Sequence, residues 1–489
     1  MNIILTTQAP AIGDSLIPIV QGDSLIEKRI ALSNKLQVPA SILERDFKAE
    51  ANEVFVHYSA NSSKTYLLGL GTDPQATNWL KIFRKFFFDQ KVKLPAQLGV
   101  DLTAFNSEVI EPVVLGIRGG GYDLKLYQTD KPAGPLVYSD EGQVTLYASA
   151  EQQNTAQEAL TRAEAIAQTQ RQMLDLMNAP ANYKTPQTLA DWAYASGKQY
   201  GYDVSVLDKA ELEKQKLGAL LSVSQGSDVP PVLIIARYQP EGVTNTLKVG
   251  LVGKGVTFDT GGVSIKTSNN MHLMKSDMGG AAAVLGTVEV AAKLKLPIQV
   301  IGIVPSTENS TDGRSTKPGD VITSYLGKTI EIIDTDAEGR VILADGLGYM
   351  IRHFQPDVLI DLATLTGNVI AALGYQAAGL FTSNDDLAAQ LTAAATQTGE
   401  QLWRLPLWDA YRDDIKSDVA DVKNFSGKPV AGAIAAAKFL EVFTESHPAW
   451  AHLDIAGTAF ADNEFGAQKN ATGFGIRLLI AYLRALIVV

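Results

Sequence analysis

Acidic side chains follow predicted β-strands at several points in the C-terminal part of this chain. Asp259, Asp277, Asp336 and Glu338 lie in such segments, with glycines close to each. Because the carboxyl ends of parallel strands meet at one edge of a sheet, these four side chains could converge there. Carboxylates that repel one another need cations among them, and two divalent ions about 3.5–4 Å apart are a common arrangement. The pattern therefore predicts a two-metal site.

A simpler interpretation of each charged residue stays open on spacing alone. A single Asp after a strand is more often a helix N-cap or a turn former than a metal ligand. Asp277 and Asp334 could each be a helix cap, and Arg340 could form an ion pair with Glu338. Lys254 and Lys266 could be charges exposed to solvent. A two-metal hydrolase that acts on phosphate esters is also compatible with the carboxylates.

The elements that must position these residues alternate between strand and helix after Pro180. Apolar strands are predicted at 247–252, 298–304, 329–333 and 358–363, and helices at 279–294 and 338–354. Continuous apolar strands between helices indicate a mostly parallel sheet covered on both faces. The predicted fold class is therefore α/β, with a larger C-terminal catalytic domain built on a mostly parallel central sheet flanked by helices.

The first 150 residues predict a smaller N-terminal α/β domain. Strands at 53–58 and 65–71 flank turns, and a helix is predicted at 79–88. The glycines of 116–121 are interpreted as a flexible surface loop. The apolar spacing of 151–178 is typical of one long helix. The predicted organisation is thus an N-terminal domain (1–150), a linker helix (151–178) and a catalytic domain (179–489).

The amino-acid composition excludes several kinds of metal site and catalytic group. The 489 residues include no cysteine, which excludes thiolate metal sites and cysteine nucleophiles, and the five histidines form no His-Glu-x-x-His pair. His452 is interpreted as a hydrogen-bonded core residue. A net charge of −11 argues against wrapping nucleic acid. No signal segment is visible and the apolar run 478–489 is too short to cross a membrane, so we expect a soluble, cytoplasmic protein with no membrane partner.

Five blocks of the sequence resemble motifs of the leucyl (cytosol) aminopeptidase family of two-metal aminopeptidases. In the family's order they are residues 252–259 (VGKGVTFD), 274–280 (MKSDMGG), 334–340 (DTDAEGR), 363–367 (ATLTG) and 450–457 (WAHLDIAG). The resemblance covers roughly residues 180–489. Two positions depart from the usual pattern, since Asp334 replaces Asn and Thr260 replaces Ser. The added charge of Asp334 is expected to alter metal affinity or the pH optimum, whereas Thr260 is a mild change.

The resemblance implies a full set of metal ligands. Asp259 and Glu338 would bridge two divalent ions, which could be manganese, zinc or magnesium. Asp336 would complete the more exchangeable site, and Lys254 and Asp277 the tighter one. A lysine ligand must be neutral, so Lys254 would need a strongly lowered pKa, which two adjacent dications would supply.

The resemblance also implies how such an enzyme cleaves peptides. A metal-bridging water would attack the scissile carbonyl, and the peptide's free amino group would bind a metal, which restricts cleavage to N-terminal residues. Lys266 would stabilise the oxyanion, and Arg340 would hold a bicarbonate ion as general base.

Specificity and assembly are implied in the same way. Small and apolar residues match the family's pocket for the N-terminal side chain and suggest a preference for Leu, Met and other apolar residues, although each could be an ordinary core residue. These residues are Met274, Thr364, Leu365, Gly367, Ala456 and Ala459.

The family forms hexamers of paired trimers. Some bacterial relatives bind DNA, but this acidic chain shows no basic arm and we do not expect it to.

Overall fold

The computed structural model describes residues 1–8, 13–22, 25–130, 134–243, 247–460 and 469–487. The chain divides into two compact units, Met1–Gln168 and Thr169–Val489. The division falls inside a helix of 26 residues, Gln153–Asn178. This helix occupies the segment in which the sequence predicts a linker helix, and its apolar residues follow helical spacing.

The N-terminal unit contains a sheet in the strand order β1-β6-β5-β2-β4-β3. Its pairings are parallel except for the hairpin of β3 and β4. The strands are β1 (Asn2–Thr6), β2 (Ser15–Ile19), β3 (Val54–Tyr58), β4 (Lys64–Gly69), β5 (Gln97–Asp101) and β6 (Gln143–Tyr147), and the helices are α1 (Leu25–Leu36), α2 (Ala40–Asp46), α3 (Ala76–Gln90) and α4 (Ile110–Gly120). An α/β fold is therefore confirmed for this part of the chain.

The prediction of a flexible loop at 116–121 is wrong, because most of this segment belongs to α4. The helix packs against α3, whose buried face includes Phe83 and Phe87. A Cβ at Gly116 would lie 2.7 Å from both Leu80 O and Phe83 Cβ, and one at Gly120 would lie 2.6 Å from Phe87 Cβ. Gly116 and Gly120 are needed for close helix packing, which sequence alone does not distinguish from a flexible loop.

Gly116→Ala should therefore lower the free energy of unfolding by about 1–3 kcal/mol, because the added methyl meets the backbone of α3. Gly119→Ala is the matched control in the same helix. Its Cβ would lie no closer than 3.5 Å to the Arg84 side chain, and alanine favours helix, so this variant should not destabilise the protein. Urea unfolding of both variants measures the difference, and equal stability of the two would contradict the packing argument.

The C-terminal unit begins within α5 (Gln153–Asn178) and contains most of the remaining elements. Its strands are β7 (Asp203–Leu207), β8 (Val232–Tyr238), β9 (Lys248–Gly253), β10 (Gly255–Asp259), β11 (Gln299–Asn309), β12 (Val321–Thr323), β13 (Thr329–Glu331), β14 (Val358–Ala363), β15 (Ala378–Phe381), β16 (Leu402–Arg404), β17 (Val422–Lys423) and β18 (Trp450–Asp454). Its helices after α5 are α6 (Pro186–Tyr200), α7 (Lys209–Gln215), α8 (Gly218–Ser224), α9 (Gly279–Lys293), α10 (Glu338–Phe354), α11 (Gly367–Leu373), α12 (Asp385–Thr398), α13 (Gly432–Glu441) and α14 (Ile476–Ile487).

The central sheet of this unit has the order β16-β15-β18-β14-β9-β11-β8-β7, and β10 also pairs with β11. Its middle strands β18, β14, β9 and β11 are parallel, and antiparallel pairs flank them at β15 and β8. Helices α9 and α10 both pack against β9 and β11. The predicted mostly parallel sheet with flanking helices is confirmed.

One predicted strand belongs to a different sheet from the other apolar strands. Residues 329–333 were expected to belong with the other apolar strands, but β13 pairs with β12 and β17 in a separate three-stranded sheet. The apolar run is short, and periodicity does not reveal which strands pair.

Two smaller expectations concern the interior and the surface. His452 is fully buried, with Nδ1 2.6 Å from Asp361 Oδ1, which confirms the core interpretation. No helix in the described ranges is both long enough and apolar enough to span a membrane.

Candidate metal centre

The carboxyl ends of the parallel strands supply the first residues of the site. Lys254 follows β9 directly, Asp259 ends β10, and Thr364 follows β14. The backbone N–H of Lys254 donates to Leu362 O of β14, which holds the two strand ends side by side. Asp277 lies just before α9, and Glu338 is the first residue of α10. The helix dipole there stabilises a negative charge.

Lys254 lies at the centre of one buried cluster. Its Nζ is 2.6 Å from Asp277 Oδ2, 2.7 Å from Glu338 Oε1 and 3.1 Å from Thr364 O. Gly339 makes this position possible, because a Cβ there would lie 2.6 Å from Lys254 Cε. Lys254 is therefore a buried residue of the site rather than a charge in solvent.

Lys266 lies at the centre of the neighbouring cluster. Its Nζ is 2.8 Å from Asp259 Oδ2 and also contacts Asp336 Oδ1. The Asp336 side chain is 35% exposed, whereas Asp259 and Glu338 are buried. The site is therefore open to solvent on the side of Asp336.

These carboxylates are close enough to share metal ions. Asp259, Asp336 and Glu338 each offer an oxygen, and these oxygens lie within 4.8 Å of one another. On the other side, Lys254 brings Asp277 together with Glu338. An oxygen-rich set with one amine suits divalent ions such as Mn²⁺, Zn²⁺ or Mg²⁺. The residues present therefore fit two ions, with Glu338 between the two positions.

The lysines and carboxylates of the site form ion pairs, and these pairs set the pKa of both lysines. Burial lowers the pKa of Lys254, but the carboxylates of Asp277 and Glu338 outweigh it, and the net pKa is raised. Lys266 behaves in the same way, with burial opposed by Asp259, so its pKa is also raised. Both lysines are thus cations here. The lowered pKa predicted for Lys254 assumes two adjacent dications and stays a prediction.

Burial raises the pKa of the carboxyl groups that contact these lysines, whereas it lowers the pKa of the lysines themselves. It raises the pKa of Asp277 well above its ordinary value, and together with Asp259 it raises that of Asp336 to about 7. For Glu338, burial is outweighed by Lys254 and Lys266, and its pKa is lowered. The negative charges of Asp277 and Asp336 therefore cost free energy even beside a lysine.

Asn309 is a positioning residue that sequence reasoning missed. It ends β11 next to β10, and its Nδ2 donates to Asp259 Oδ1 at 2.8 Å and to Thr335 O at 3.0 Å. Its own carbonyl accepts from the Thr260 hydroxyl at 2.8 Å. A serine would offer the same hydroxyl, so Thr260 is indeed a mild departure.

Asn424, at the end of β17, is a second residue that was missed. Its Oδ1 accepts from Ile333 N at 2.8 Å, and its Nδ2 donates to Asp334 O at 2.6 Å. Its carbonyl accepts from Arg340 Nη1 at 2.9 Å. The fully buried Asn424 thus shapes the loop that carries Asp336 and Glu338.

Arg340 is buried and directed to this loop rather than to solvent. Its Nε has no hydrogen-bond partner among the described residues. Burial lowers the pKa of Arg340 to about 10, so it remains a cation at neutral pH. A buried guanidinium with an unused donor fits a small anion.

Asp334 proves to be a turn former. Its Oδ1 accepts from Asp336 N at 2.9 Å, which closes a local turn before α10. Asp277 does not cap α9; its Oδ1 accepts from Thr364 Oγ1 at 2.6 Å. The prediction that either residue caps a helix is therefore wrong, since Met278 and Ala337 are the N-caps of α9 and α10.

A family model described as the cytosol aminopeptidase family, catalytic domain, matches residues 172–480. This chain belongs to the cytosol aminopeptidase family. The probable cytosol aminopeptidase of Chloroherpeton thalassium is 43% identical over 472 residues, which cover 92% of each chain. The family predicted from the sequence motifs is thereby confirmed.

Solved structures agree with this assignment. The crystal structure of the cytosol aminopeptidase from Coxiella burnetii has a TM-score of 0.85 and 31% identity, and covers 99% of both chains. The bottromycin maturation enzyme BotP, in complex with Mn, has a TM-score of 0.82 and 33% identity over 97% of this chain and 100% of that one. The chain is accordingly a hydrolase, a metal-dependent aminopeptidase of a family that depends on two metal ions.

Among the residues predicted to line the substrate pocket, Thr364 contacts the site directly, through its carbonyl to Lys254 and its hydroxyl to Asp277. Asp454, at the end of β18, accepts from Leu365 N, from the Thr366 hydroxyl and from Ala456 N, and so joins two of the pocket segments. The set is mostly half-buried, with Ala459 buried and Gly367 exposed: Met274, Thr364, Leu365, Gly367, Ala456 and Ala459. Asp454 is a further positioning residue that the motif contained without revealing its role.

Because Asp334 acts through its hydrogen bond, Asp334→Asn should keep the site intact. Manganese affinity should change by less than about fivefold, since water screens a half-exposed charge. Asp334→Ala should lower the free energy of unfolding by about 1 kcal/mol through loss of the turn acceptor. Calorimetric metal titration and urea unfolding measure the two effects. A larger fall in affinity for the Asn variant would show that the charge acts on the metals directly.

Proposed function

We propose that this cytosol aminopeptidase releases Leu, Met and other apolar residues from the N-termini of peptides by attack of water on the scissile carbonyl. The observation that carries the proposal is the convergence of a complete ligand set at one sheet edge. The proposed ligands are Lys254, Asp259, Asp277, Asp336 and Glu338. Manganese is the first candidate metal because the similar BotP structure is in complex with Mn; zinc and magnesium are the others.

The two clusters suggest which ligands belong together. Lys254 and Asp277 would hold one ion and Asp336 the other, and Asp259 and Glu338 would be shared between them. We assign the half-exposed Asp336 to the more exchangeable ion, because water reaches it most readily. When bound, the ions supply Lewis acidity that makes a water reactive at neutral pH.

The chain's own cations perform the remaining tasks. Lys266 holds a positive charge beside the carboxylates, and this charge stabilises the oxyanion that forms on the scissile carbonyl. Arg340 would hold a bicarbonate ion through its unused Nε, and that ion would supply a general base. Asn424 orients Arg340 through its carbonyl.

The first test is hydrolysis of a Leu-anilide after chelation and after return of manganese or zinc. Activity should vanish with the chelator and return with metal. Glu338→Ala should lose about a hundredfold or more of kcat/KM, since even residues that only orient ligands are worth 10–100-fold. Glu213→Ala, an exposed glutamate on α7, is the matched control and should retain activity.

Two outcomes would overturn the proposal. Folded protein that cleaves no aminoacyl anilide with any of the three metals would contradict peptidase chemistry at this site. Hydrolysis of a phosphate ester in place of the anilide would identify the other class of two-metal hydrolase.

We further propose that six chains assemble as paired trimers, as the family resemblance implies. Light scattering should then give a mass of about six times the 52.4 kDa of one chain. A monomer mass at micromolar concentration would contradict this assembly.

The net charge of −11 gives no reason to add DNA to the partners, which we propose are peptides.

A further inference from the structure

Gly279, the first residue of α9, marks where several pocket residues meet. A Cβ at this position would lie 2.9 Å from Ala459 Cβ and 3.2 Å from Thr364 Cγ2. Both are predicted pocket residues. The third neighbour is Met177, whose Cε would lie 3.4 Å away. A methionine that no family motif singled out therefore shares this buried point with two pocket residues.

Met177 lies near the end of α5 and is 1% exposed. Its neighbour Asn178 is fixed from two sides, since Lys275 Nζ donates to Asn178 O at 2.8 Å and Asn178 Oδ1 accepts from Ala471 N at 3.1 Å. The buried Lys184 donates to Lys275 O, which ties the segment after α5 to the turn that carries Met274.

We infer that Met177 forms the floor of the pocket and sets the largest N-terminal side chain that it accepts. The inference rests on the proposed function, because it concerns the same pocket. Three segments distant in sequence meet at Gly279, and two of them, Thr364 and Ala459, have short side chains. The long Met177 side chain is therefore the one whose truncation would deepen the pocket.

The chemistry of methionine suits this role. Its unbranched thioether fills irregular space without a fixed shape, and truncation to alanine leaves a cavity that the surroundings fill only in part. A cavity that opens towards Thr364 and Ala459 would admit a longer or aromatic substrate side chain. A bulkier residue at 177 would instead make the pocket shallower.

The test compares kcat/KM for Ala-, Leu- and Phe-anilides, with saturating manganese, in Met177→Ala and Met177→Phe. The Phe-to-Leu ratio should rise about tenfold in Met177→Ala, and the Ala-to-Leu ratio about tenfold in Met177→Phe, since a methylene in an apolar pocket is worth about 10–200-fold. Met173→Ala is the matched control. Met173 is fully buried one turn earlier on α5, beside Gly286 and away from the pocket.

Each outcome has a distinct meaning. Unchanged ratios in both Met177 variants of an active enzyme would overturn the inference and leave the proposed function standing. Equal ratio changes in Met173→Ala would also overturn it, because they would reflect general loosening of α5. Wild-type protein that cleaves none of the anilides would overturn the proposed function itself. Should Met177→Ala not fold, Met177→Leu and Met177→Phe still decide the matter through the Ala-to-Leu ratio.

Discussion

The central constraint on this structure is the repulsion among buried carboxylates. Asp259, Asp277 and Glu338 are all nearly excluded from water at one edge of the central sheet. Isolated buried charges cost more free energy than a fold can supply, so cations must lie among them. Lys254 and Lys266 lie among them and supply positive charge. The same demand for positive charge suits the site to divalent cations.

The surrounding residues position the ligands without adding to the charge. Asn309 and Asn424 offer amides, which donate and accept hydrogen bonds while remaining neutral at every pH. A carboxylate in either place would strengthen the repulsion, and a lysine would compete with the metals. The amides therefore hold Asp259 and the 333–340 loop in place while leaving the charge balance to the ligands and the two lysines.

Much of this arrangement could be predicted from the sequence because it depends on local patterns. Apolar runs located β9, β11 and β14. Asp336 and Glu338 do lie beside Asp259 as predicted, although they follow β13, which belongs to the separate three-stranded sheet. The roles of Asn309 and Asn424 could not be predicted, since they depend on contacts between residues far apart in the chain: Asn424 lies about ninety residues from the loop that it holds. The placement of β13 failed for the same reason, because strand pairing is not a local property.

Thr364 shows why the metal centre and the pocket form a single unit. Its hydroxyl donates to Asp277, its carbonyl accepts from Lys254, and its methyl group lies at the point where Gly279 meets the pocket. Asp454 holds the adjoining backbone through Leu365 and Ala456. A change in the depth of the pocket that moved this loop would also move two proposed ligands. Specificity is therefore changed at least cost from below, by a residue such as Met177, which lies beside Gly279.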